Sequence, residues 1–96
     1  MHANALPEPT AVSHDPRAVE LLRVWAAHGK QHVTLATDLW NDPASWGIML
    51  VDLAKHVANA YQSRGMDIAV ALQRVREGFD AEWDSATDEP SGNILE

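Results

Sequence analysis

Cysteine is absent from the 96 residues. That excludes a disulfide framework, a thiol nucleophile and the thiolate-based structural zinc sites. No run of about 18 apolar residues occurs, so no membrane-spanning helix is expected. The stretch from Met1 to Thr10 has neither a basic region nor an apolar core segment and does not read as a secretory signal, which makes a cytoplasmic location the expectation. Basic side chains are scarce, 7 Lys and Arg against 14 Asp and Glu, for a net charge of −7. Nucleic-acid affinity draws on clustered Lys and Arg that meet phosphates. Here they are scattered from Arg17 to Arg76, so neither nucleic acid nor an anionic membrane surface is an expected partner. The negative balance reads as solubility. The glycines stand apart from one another, leaving no phosphate-cradling loop, and no serine lies in a Gly-x-Ser-x-Gly elbow.

What is present is an ordinary globular mixture, 46% hydrophobic and 22% charged, which predicts a packed core. Four tryptophans dominate the aromatic content, and each can bury about 150–250 Å². Trp25, Trp46 and Trp83 fall on apolar faces and are expected inside. Trp40 is less constrained and could sit at an interface. The chain divides into an extended arm over residues 1–14, a single helical domain over 15–84 and an acidic flexible tail over 85–96.

The fold class expected is mostly α (α+β), with three helices and one short strand between helix 1 and helix 2. Asp15-Pro16 reads as an N-cap with proline at the first helical position. Ala18, Leu21, Leu22, Trp25 and Ala26 would then share a face, and Gly29 would cap the helix in the left-handed conformation. The same Asp-Pro device at Asp42-Pro43 starts a second helix, which runs to Tyr61 and is apolar around more than half its circumference. A third, from about Asp67 to Asp84, places Ile68, Leu72, Val75, Phe79 and Trp83 at spacings of three and four. Gly78 inside it suggests either a close helix approach or a softened end. Gln31 to Thr37 alternates as a strand does. A lone strand cannot satisfy its own backbone groups, so it is expected to pair with the arm at Thr10 to Ser13 or with its twin in a second subunit.

The one arrangement that could carry chemistry is Asp52 and His56, one turn apart on the second helix. With Glu77 or Asp80 from the third helix they would make a metal site, for a metal-binding protein or a metal-assisted enzyme. The plainer reading is a solvated ion pair beside the core. His28 and His32 are expected to meet the dipole at the end of the first helix. No catalytic set is complete, and no cofactor can be named. The strand–helix–helix order from His32 to Trp83 matches the topology of ribbon-helix-helix repressors. However, the groove-facing residues would be His32, Thr34 and Ala36, without an Arg or Lys among them, which argues against DNA binding.

At Leu21 to Ala26, Gln31-His32-Val33, Asp42-Pro43 with Trp46-Gly47-Ile48, Asp52 to Ala58 and Arg76 to Phe79, the chain resembles an uncharacterised family of short bacterial proteins, a domain of unknown function. The resemblance spans about residues 6 to 89 and implies a protein of this size without implying an activity. The function expected is therefore that of a non-enzymatic homodimer acting as an interaction or accessory module, with a protein partner besides its own second copy.

Overall fold

The computed structural model describes residues 2–85 together with 94–95. After the arm, a 3-10 turn at Thr10–His14 leads to strand β1 (Leu22–Ala27) and strand β2 (Lys30–Leu35). Two helices follow, α1 (Ala44–Gln62) and α2 (Ile68–Asp84), and then a short strand β3 (Ile94–Leu95). The sheet order is β1-β2-β3, antiparallel between the first two and parallel between the last two. Most of the expected tail, 86–93 and 96, lies outside the described residues.

The expected first helix is not formed, and its residues supply a turn and a strand instead. Asp15 does act on the backbone ahead of it, its Oδ1 accepting from the Arg17 N–H at 2.9 Å while its carbonyl accepts from the Ala18 N–H. That makes a turn, and the chain beyond it runs extended. The decision comes at His28-Gly29, where both residues have positive φ, 54° and 72°. Two consecutive left-handed residues between paired Ala27 and Lys30 form the mirror-image turn whose twist suits a two-residue hairpin. Gly29 thus sits in the conformation expected of it, but closes a hairpin rather than a helix.

The strand expected over 31–37 is present as β2, paired along its whole length by β1 on one side and by β3 at Val33 and Thr34 on the other. The partner expected from the arm or from its own twin is supplied instead by β1, from residues read as the first helix. Thr10 to Ser13 lies in the 3-10 turn. The fold is two helices preceded by a β-hairpin, not three helices around one strand.

The two remaining helices begin close to where the sequence places them. Asp42 accepts from the Ala44 N–H at 2.9 Å to open α1. Asp67 caps α2 by accepting from the Ala69 and Val70 N–H groups. Gly65, at φ 99°, turns the chain between them. Trp40 meets the edge of Trp46 with ring centroids 4.9 Å apart, so both tryptophans hold the entry to α1 and are half-buried.

The helices pack on one another, with Ala58 and Ala71 as their buried positions. Among the described residues no Cα of a strand lies within 8 Å of a Cα of either helix, and Ala58 and Ala71 make up the buried core. Trp83, expected inside, is 78% exposed. The accessible surface is 8380 Å², whereas a folded monomer of this mass exposes about 5,500 Å². The radius of gyration, 15.3 Å, likewise exceeds the about 12.5 Å of a compact domain of this length.

Candidate interaction surface

Two apolar stripes run along the helix pair. On α2, Ile68, Leu72, Phe79 and Trp83 are all exposed, with Val75 half-buried between them. Phe79 and Trp83 stack at 5.6 Å, a contact that shields neither from water. On α1, Leu50, Leu53, Val57 and Tyr61 follow one another at spacings of three and four and are also exposed. Soluble monomers rarely leave contiguous apolar faces of this extent open.

A third open feature is the outer edge of β1. The Ala36 N–H donates to the Leu21 carbonyl at 2.9 Å, which sets the phase of the ladder. In an antiparallel pair hydrogen-bonded and non-hydrogen-bonded residue pairs alternate. Arg23, Trp25 and Ala27 therefore turn their backbone groups toward β2, while Leu22, Val24 and Ala26 turn theirs outward. Among the described residues nothing bonds to those outward groups. Beside this edge the arm forms the far wall of a groove of about 440 Å³ whose lining includes Leu6, Pro7, Val12, Val19, Leu22 and Val24.

Of the groove's charged members Glu8, Glu20 and Arg23, the last two form an ion pair. Arg23 donates to both oxygens of Glu20, at 3.1 and 2.8 Å. Those hydrogen bonds hold the Glu20 carboxyl below its ordinary value against the opposing effect of desolvation, with a lesser contribution from the Arg23 charge. The same partner raises the Arg23 guanidinium.

The residues proposed for a metal are not brought together. Asp52 and His56 are exposed on α1, and neither side chain has a hydrogen-bonding or ionic partner among the described residues. Glu77 accepts from Arg74 at 2.6 Å, and Asp80 from Arg76 at 3.1 Å. Among the described residues no three His, Cys, Asp or Glu are placed to hold an ion. His28 and His32 meet no helix end. His32 Nε2 bonds instead to the Ala27 carbonyl at 3.1 Å. The feature missed in the sequence is the open edge of β1. Two signals pointed to it: the His28-Gly29 pair between apolar runs, and the alternation of Leu22 and Val24 with Arg23 and Trp25.

The family of the domain of unknown function DUF5076 matches the chain over residues 5–87. The chain belongs to this family. The DUF5076 match agrees with the resemblance noted over about residues 6 to 89, and the family carries no described activity. Among solved structures, the chain is similar to a protein of the photosynthetic bacterium Rhodopseudomonas palustrus CGA009, provisionally named a pyruvate dehydrogenase. The two share 30% identity over 95% of this chain and 94% of that one, with a TM-score of 0.71. No curated protein matches. No helix among the described residues is long and apolar enough to cross a membrane.

Proposed function

We propose that this member of the DUF5076 family is a non-enzymatic homodimer that serves as an interaction or accessory module in the cytoplasm. One observation carries the reading: among the described residues Ala58 and Ala71 are the buried core, while apolar stripes on both helices stand open. Burial of apolar surface contributes roughly 25 cal/mol per Å², and a chain that leaves this much uncovered lacks the usual source of stability. The excess over a compact monomer is of the order that large obligate dimer interfaces bury. The ground differs from the one the sequence suggested, since β1 supplies β2 with a partner within the chain.

A scaffold is favoured over a catalyst because the continuous features are apolar faces, whereas the candidate acid and imidazole groups stand apart on the surface. The acidic, cysteine-free composition suits the reducing cytoplasm. The dehydrogenase name belongs to the relative, and no arrangement of side chains described above brings it here. Sedimentation equilibrium tests the reading. A dimer at low micromolar concentration is expected, with a melting temperature that rises with protein concentration. A species that stays monomeric to high micromolar concentration would overturn it.

A further inference from the structure

The geometry points to where the second copy joins: β1 pairs antiparallel with β1 of the partner about a twofold axis at Val24, making one sheet continuous across both copies. This rests on the homodimer reading and goes further by naming the edge, the register and the side chains that meet.

The outward N–H and C=O groups of Leu22, Val24 and Ala26 are a ready template for another strand. The usual protections of an edge are missing. β1 holds no proline, pairs in uninterrupted register from Leu22 to Ala27, and its single charge, Arg23, is neutralised by Glu20. The neighbouring arm does not compete for the edge, because Pro7 and Pro9 have no N–H to donate and the arm makes no hydrogen bond to β1 among the described residues. What it leaves is the apolar groove, with Leu6 88% and Val24 51% exposed.

A second copy fits this edge better than an unrelated peptide because the edge is self-complementary in one register. With the axis at Val24, the outward-facing residues pair as Leu22 with Ala26 of the partner subunit, Val24 with the partner's Val24, and Ala26 with the partner's Leu22. Every open backbone group from 22 to 26 then finds a mate. The intervening pairs set Arg23, held by Glu20, opposite the partner's Trp25, whose ring within each copy meets the edge of the His2 ring at 5.1 Å. Moving the axis to Arg23 would leave the outward groups of Ala26 without a mate in β1, and moving it to Trp25 would do the same to Leu22. On the other side of the sheet, Leu22, Val24, Val33 and Leu35 share a face through the pairs Leu22–Leu35 and Val24–Val33. The axis doubles that apolar face into one surface. Isologous closure of this kind also removes the edge that would otherwise recruit further chains.

The test is a mixed dimer of isotope-labelled and unlabelled full-length chains examined by filtered NOE spectroscopy. Arg23 and Trp25 become a non-hydrogen-bonded cross-strand pair only between copies, so an intermolecular Hα–Hα cross-peak between them is expected. Substituting Val24→Pro removes only an outward N–H, a place where an edge strand tolerates proline. Losing that bond in both copies is expected to weaken dimerisation about 100-fold while the helical circular dichroism is retained. A dimer that shows cross-peaks between helices but none between Arg23 and Trp25 would overturn this register and leave the homodimer standing. A monomer at every concentration would remove both. An extended peptide from another protein is the occupant if β1 shows intermolecular contacts only after such a peptide is added, and that too overturns the pairing.

Discussion

Gly29 and Glu20 show how single residues set this fold and how each can be tested. At Gly29, φ is 72° and no atom lies within 4 Å of where a Cβ would stand, so a side chain there meets strain and not a clash. Left-handed backbone costs an L-residue about 1–2 kcal/mol. Gly29→Val is therefore expected to lower stability by about that amount, or somewhat more for its branched Cβ, measured by urea unfolding. For Glu20 the readout is titration. Its carboxyl is held low by hydrogen bonds from Arg23. The favourable contribution of the pair is thus present above the ordinary glutamate value and is lost as pH falls through the lowered one. Side-chain NMR should find the Glu20 midpoint below the ordinary glutamate value, and Arg23→Ala should return it to the ordinary range. An unchanged midpoint in that variant would remove Arg23 as the cause.

Among the elements, the helices were legible in the sequence and the hairpin was not, for a reason that residues 15–29 make plain. Asp42-Pro43 and Asp67 work locally, because a carboxylate oxygen reaches N–H groups two or three residues ahead whatever the rest of the chain does. Asp15 makes the same kind of bond to Arg17. Beyond it the strand pairing wins, since Leu22 to Ala27 finds a complete partner in Lys30 to Leu35. Leu21, Leu22, Trp25 and Ala26 share a face at the helical period but fall on opposite faces of a strand, so the local pattern favoured the helix that the pairing overrides. For α2, Asp67→Ala should cost about 1 kcal/mol through loss of the cap, seen as a lower urea midpoint at unchanged slope. Gly78 is open to space, with nothing within 4 Å of a Cβ built there. The close helix approach it suggested is not made within one chain, and its cost of about 1 kcal/mol relative to alanine remains.

For the whole molecule, the balance between buried and exposed apolar surface governs behaviour. Phe79 is 50% exposed, and surface changes away from special features usually lie within about 0.5 kcal/mol. In an isolated chain Phe79→Asp would accordingly be nearly silent. If the second copy covers the open α2 stripe, Phe79→Asp should dissociate the copies and make the melting temperature independent of concentration, whereas a dimer held by β1 alone should be unmoved by it. Sedimentation together with concentration-dependent melting separates the two outcomes. Asp52→Ala and His56→Ala, on exposed positions without side-chain partners, form the natural control and should leave assembly unchanged.

The sequence by itself determined the helix starts at Asp42 and Asp67, the extended conformation of residues 31–35 and the family to which the chain belongs, because capping, alternation and motif spacing act over a few residues. Only the tertiary structure decided that residues 22–27 become a strand, that Trp83 is largely exposed, and that Asp52 and His56 lie exposed on α1 while Glu77 bonds to Arg74. Those outcomes depend on which distant segment supplies backbone partners and apolar cover, and such contacts are long-range in the chain.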